Sequence, residues 1–225
     1  MGYGNKNWYN SAYFEDGKLR PDYMLRLEKI INKANELGMV TILGLFYFGQ
    51  DQNLKDEAAV IAAVDNSVEW LQEKGYKNVI IEVGNESNNR AYDHAILKQD
   101  RIHELILRIK EKSPELLVST SFNGNTLPPE KVVEVADYVL IHGNGVHKPE
   151  RITEMVEQVR AMSTYTSKPI VFNEDDHFDF DQPENNFVQT YYSNVLGIVE
   201  NGGHTFGSDL SDSDKNALIA FLATL

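Results

Sequence analysis

Cysteine is absent from the 225 residues. No disulfide, thiolate metal site or thiol nucleophile is therefore available, and the absence suits either side of a bacterial membrane. Long apolar runs are also missing. None approaches the ~20 residues that a spanning helix needs. The first residues, MGYGNKNWYNSAYF, lack a basic stretch followed by an apolar one, so they do not read as a signal peptide. The location is therefore left open: cytoplasmic, or secreted or periplasmic if the chain derives from a longer precursor. Basic residues are scarce, with 21 Lys and Arg against 34 Asp and Glu, a formal charge of −13. That balance disfavours nucleic-acid backbones and anionic membranes and suits a neutral or cationic ligand. No glycine-rich phosphate fingerprint follows an early strand, which speaks against a dinucleotide fold.

What the chain does contain is apolar runs alternating with helical periodicity. Hydrophobic residues make up 42%, enough for a folded core. MVTILGLFYFG (39–49) is a nearly continuous apolar run, as in strands covered on both faces. NVIIEVGNE, LLVSTSFNG (116–124), DYVLIHGNG (137–145) and KPIVFNEDDH (168–177) read the same way. Between them lie helical patterns. One contains Met24, Leu27, Ile30, Ile31, Ala34 and Leu37, with Pro21 near its start and Gly38 near its end. Others cover 57–74, 98–112, a short turn near Pro129, and 149–163. Further helices are expected near 186–200 and 211–224, with a short strand at 203–207. Ser211 and Asp214 resemble a capping box.

Strands alternating with helices imply a parallel sheet. The fold class expected is α/β, a (β/α)8 TIM-barrel-like domain over 1–225 that is incomplete at its N-terminus. A full barrel takes ~250 residues, and residues 1–20 look like a loop leaving an earlier strand.

Barrel enzymes place their chemistry at the carboxyl ends of strands. Those ends read Tyr47-Phe48-Gly49-Gln50, Asn85-Glu86, Ser121-Phe122-Asn123, His142-Gly143-Asn144 and Asn173-Glu174-Asp175-Asp176-His177. Asn-Glu recurs at two of them. A carboxyl pair suits glycosidic cleavage, one group protonated as acid and the other ionised as nucleophile or base. A single Asn-Glu would more simply be a solvated loop start; the repetition favours chemistry. Glu82 lies four residues before Glu86, so a continuing strand would put both on one side. A barrel-interior carboxylate is the expectation for Glu82. Trp8, Tyr9, Tyr13 and Phe14 cluster in the first loop, and aromatic faces suit sugar rings. Covering core edges is the competing role for Phe48 and Phe122.

IIEVGNE and KPIVFNED resemble the fourth- and seventh-strand motifs of the retaining glycoside hydrolases of the cellulase-like (β/α)8 clan, across roughly residues 5–185. The resemblance implies Glu86 as acid/base and Glu174 as nucleophile. It also implies Asn85 as a substrate contact and His142 at the end of the sixth strand. Trp8, Asn144, Phe122 and Asn173 join them as candidate substrate contacts because aromatic and amide side chains gather at the same strand ends. No cofactor is implied. The partner implied is a β-linked oligo- or polysaccharide. Strand numbering by this resemblance makes 39–49 the third strand. The first two are then absent, so a missing N-terminal segment or a homo-oligomer is expected to complete the barrel. The alternatives are an inactive, carbohydrate-binding remnant and a metal-dependent barrel hydrolase using NEDDH with Glu86 and His142. The tail LSDSDKNALIAFLATL resembles the last helix of c-type cytochrome domains, without a haem attachment motif. Residues 203–225 are therefore expected to be foreign or atypical.

Overall fold

Proline punctuates the first helix. Pro21 occupies its first turn, where a missing N–H costs nothing, and α1 runs Pro21–Glu36. A computed structural model describes residues 11–177, 185–186 and 196–197. They group into two compact units, one ending at Thr120 and one beginning at Ser121.

In the first unit α1 leads to β1 (Thr41–Phe46), α2 (Glu57–Lys74), β2 (Val79–Gly84), α3 (Ile102–Lys112) and β3 (Val118–Ser119). The strands are parallel in the order β1-β2-β3. Every residue of β2 is buried, as a central strand covered on both faces requires. The bounds of α2 follow from its ends. Asp56 accepts a hydrogen bond from the Ala59 N–H at 2.8 Å, and Gly75 closes the last turn at φ +66°. One stripe of α2, including Val60, Val64, Val68 and Leu71, is buried. The loop at Gly17 presses on this helix. A Cβ there would sit 2.3 Å from the Ala59 carbonyl oxygen, and φ is +83°, so only glycine fits.

The second unit contains α4 (Glu130–Val135), β4 (Val139–His142), α5 (Glu150–Arg160), β5 (Ile170–Glu174) and β6 (Leu196–Gly197). Its sheet is parallel in the order β4-β5-β6. Val139, Ile141, Ile170 and Phe172 pack on Ile152, Met155, Val156 and Val159 of α5. Lys168 is buried, and its ammonium donates to the carbonyls of Val133 and Ala136, each at 2.6 Å. A cation thus caps the carboxyl end of α4.

The sequence expectations meet this structure with specific differences. The strand expected at 116–124 pairs only over Val118–Ser119. Beyond it the Thr120 hydroxyl replaces the ladder, donating to Gly84 O at 2.7 Å and accepting from Gly84 N–H at 3.3 Å. The helix expected at 98–112 starts at Ile102, after a 3₁₀ turn at Ala95–Leu97. The helix expected near 186–200 is corrected at Leu196–Gly197, which pair with Val171 and Phe172 as a strand. Short apolar stretches carry too few periods to separate helix from strand. Ile30 and Leu37 of the first apolar pattern are 62% and 63% exposed, so α1 buries a narrower stripe than its composition suggests. The expected strand at 203–207, the helix at 211–224 and the 203–225 tail lie outside the described residues, as does Trp8. Among the described residues no helix is long and apolar enough to cross a membrane.

Removing the Asp56 cap by Asp56→Ala should destabilise the protein by about 1 kcal/mol. Urea unfolding monitors this, and an unchanged midpoint would contradict the capping role.

Candidate active site

β2 stops at Gly84, and the next residues turn sharply. The Asn85 N–H donates to Phe46 O at 3.0 Å, and Glu86 then takes φ +52°. A left-handed conformation costs a residue with a Cβ roughly 1–2 kcal/mol. Its surroundings hold the turn in place. Ser87 is buried, with its hydroxyl 2.7 Å from that of Thr120. The buried Tyr92 hydroxyl donates to Asn85 O at 2.7 Å. Asn89 N–H donates to Glu86 O at 2.7 Å. Gly84 leaves room for this packing, since a Cβ there would lie 3.0 Å from the Ser87 Oγ. Asn85 and Glu86 themselves are half-buried. Because the strand ends before Glu86, strand parity does not relate it to Glu82. That expectation is corrected. Glu82 is buried within β2, where an interior carboxylate was expected.

The same unit contains groups that the sequence reading missed. Tyr92 has its ionisation pushed far up, first by burial and then by the nearby Glu82, Asp51 and Glu86 carboxylates. It remains a neutral donor. Asp51 is 2% exposed and accepts the Asp93 and His94 N–H groups, each at 2.9 Å. Burial raises its carboxyl above the usual value, against the lowering effect of those N–H donors. The only signals in the sequence were a tyrosine and an aspartate in polar loops, which any solvated loop contains. Among the first-loop aromatics, Tyr13 is buried, stacked on Phe46 at 5.6 Å and 3.0 Å from the Ser67 hydroxyl. Phe14 is exposed beneath the Arg20 guanidinium. Tyr47 and Phe48 are half-buried and lie against each other at 4.3 Å.

In the second unit, β4 and β5 end together, with His142 in register with Glu174 after a shift between Ile141 and His142. His142 is fully buried, its Nδ1 3.7 Å from Glu174 Oε2. Asn144 Nδ2 donates to Glu174 Oε1 at 3.1 Å. An N–H donor suits an ionised carboxylate, which only accepts. Two glycines allow this close packing. A Cβ on Gly143 would meet the Phe172 ring at 2.5 Å, and one on Gly124 would meet Asn144 O at 2.0 Å. Asn173 and Glu174 are half-buried. Phe122 is 1% exposed, so its ring belongs to the core here and offers no open face. The structure thus brings His142, Asn144 and Glu174 together within one unit, and holds Asn85 and Glu86 in a fixed turn within the other.

No protein-family model matches the chain, and no curated protein sequence matches it. Solved structures do. An endo-1,4-β-D-mannanase from Thermotoga petrophila RKU-1 is similar at a TM-score of 0.54 and 14% identity, over 89% of this chain and 79% of that one. An endo-β-1,4-mannanase from Thermotoga petrophila is similar at a TM-score of 0.53 and 14% identity, over 88% of this chain. The chain spans 60% of the length of that second structure. Both neighbours are glycoside hydrolases. At this identity the likeness concerns the fold, an α/β arrangement of parallel strands in keeping with a partial (β/α)8 barrel.

The backbone at Glu86 gives a direct test. Glu86→Gly should be more stable than Glu86→Ala by about 1 kcal/mol, because only glycine occupies a left-handed position freely. Equal thermal or urea midpoints for the two variants would contradict the strained turn.

Proposed function

We propose that the protein is a glycoside hydrolase that cleaves β-linked glycans with retention, using Glu174 as nucleophile and Glu86 as acid/base. The observation that carries this reading is the repeated strand end. In one parallel sheet Asn85-Glu86 directly follows β2, in the other β5 ends in Asn173-Glu174, and both glutamates are half-buried. The glycoside hydrolase neighbours support the class, and the motif resemblance supports the roles.

The chemistry runs in two displacements. Glu174 attacks the anomeric carbon, and a carbon–oxygen bond forms as the glycosidic bond breaks. Glu86 gives its proton to the departing oxygen. Water then attacks the same carbon, Glu86 takes the proton back, and the Glu174 carboxylate leaves. Asn144 and His142 hold the Glu174 carboxylate for attack. Asn85 and Asn173 offer amide groups to sugar hydroxyls, and Trp8 is the proposed stacking platform. Phe122 enters only as a buried core side chain of the second unit. Nothing in this sequence of steps needs a cofactor.

The exposed apolar side chains of Leu25, Ile30, Leu37, Met39 and Val40 favour one addition. They sit on α1 and just before β1, and a surface of this kind is normally covered. We read it as the face that a further strand–helix segment or a second copy of the chain occupies.

Hydrolysis of β-mannan, β-glucan and xylan oligosaccharides should be measured for the parent and for Glu86→Ala and Glu174→Ala. The parent should release reducing sugar. Each variant should lose about 10²–10⁴-fold or more in rate while still binding the oligosaccharide. A parent that binds sugar but hydrolyses none would favour the inactive-remnant alternative. Activity that chelation abolishes would favour the metal-dependent one.

A further inference from the structure

The residues that follow Glu174 form a compact donor set of their own. Asp175, Asp176 and His177 each bring a ligand-type atom to within 4.8 Å of the other two. His177 Nδ1 lies 2.8 Å from Asp175 Oδ1 and 3.0 Å from Asp176 Oδ1. Two ligands bound at ~2.1 Å and at right angles around one ion are about 3.0 Å apart. These separations therefore match the edges of a metal coordination shell.

A second, independent observation comes from burial. The Asp175 side chain is 2% exposed; its Oδ1 accepts the Asp176 N–H at 2.9 Å, while among the described residues its Oδ2 has no hydrogen-bond donor. Burying a carboxylate oxygen with nothing to replace its water is costly, and a bound cation removes that cost. The surroundings also hold the set in place. Asn186 is buried, and its Nδ2 lies 3.2 Å from Asp175 Oδ1 and 3.2 Å from Val146 O. The Gly145 N–H donates to both Asp176 oxygens, at 3.1 and 3.2 Å. Gly143 must lack a side chain here, since a Cβ would lie 2.8 Å from Asp175 Oδ1.

We propose that Asp175, Asp176 and His177 bind one divalent first-row transition-metal ion. An imidazole nitrogen with two carboxylates selects zinc, nickel, cobalt or manganese over magnesium and calcium, which take oxygen alone. The site is distinct from the carboxylate chemistry above and does not depend on it. Its place directly after Glu174 gives it a structural role, fixing the chain as it leaves β5.

The test uses the full chain, stripped with EDTA and dialysed. Zn²⁺, Mn²⁺ and Mg²⁺ are titrated separately by calorimetry and by thermal unfolding. Saturable binding of one Zn²⁺ per chain with a raised melting temperature is expected, and Mg²⁺ should bind at least tenfold more weakly. His177→Ala, a half-exposed position, should weaken Zn²⁺ binding at least tenfold. Asp175→Asn should do the same. If that variant fails to fold, the Co²⁺ absorption spectrum of the parent against His177→Ala reports the imidazole ligand instead. Absence of one-to-one binding would overturn the proposal, as would Zn²⁺ binding that His177→Ala leaves unchanged. Neither outcome bears on hydrolysis, because no activity is read.

Discussion

A single hydroxyl group organises the turn on which the first carboxylate depends. Thr120 Oγ1 bonds both the carbonyl and the N–H of Gly84 and touches the Ser87 hydroxyl at 2.7 Å. It ends the β2–β3 ladder and anchors the chain just where Glu86 turns left-handed. Tyr92 holds the same turn from its other side through Asn85 O. A strained backbone persists only where its surroundings over-determine it. Here buried hydroxyls do so, and the result is a glutamate with little freedom to relax. The second carboxylate is fixed by other means. Glu174 ends an ordinary strand, and Asn144 and His142 gather round it because glycines at 124 and 143 let backbone and ring approach closely.

Much of this was legible in the sequence, and the reasons are physical. α2 was readable to its end residues because it combines an acidic cap, a buried stripe and a terminal glycine. β2 and β5 were readable because strands covered on both faces are largely apolar, with Glu82 the exception inside β2 and Asn173-Glu174 marking the end of β5. The two Asn-Glu dipeptides stood out because polar groups follow such runs only where a strand ends. What was not legible depends on tertiary contact. Nothing in LLVSTSFNG tells a threonine that extends a ladder from one that replaces it. Tyr92 sits in a polar loop whose burial comes from Phe48 and from the turn it supports. Leu196–Gly197 joins β5 through backbone bonds that side-chain periodicity does not encode. Tyr13 groups in sequence with the first-loop aromatics whose faces suit sugar rings, yet its ring is buried in the core.

The acidic character of the chain takes on meaning at this scale. Burial first, and then the Glu82, Asp51 and Glu86 carboxylates, push the Tyr92 ionisation well up. A donor of this kind holds its hydrogen bond across the ordinary pH range, which suits a turn that must not move. In the second unit acidic residues converge on His177 instead, where a cation would balance them. The same excess of carboxylates thus appears in separate settings with different partners.

The central claim is that Glu174 and Glu86 act in two successive displacements at one sugar carbon. The most direct test is the anomeric form of the sugar first released from a β-linked oligosaccharide, followed by proton NMR before mutarotation. The account predicts that the β-anomer appears first and the α-anomer follows only as the solution equilibrates. Initial release of the α-anomer would mean a single displacement by water and would contradict it.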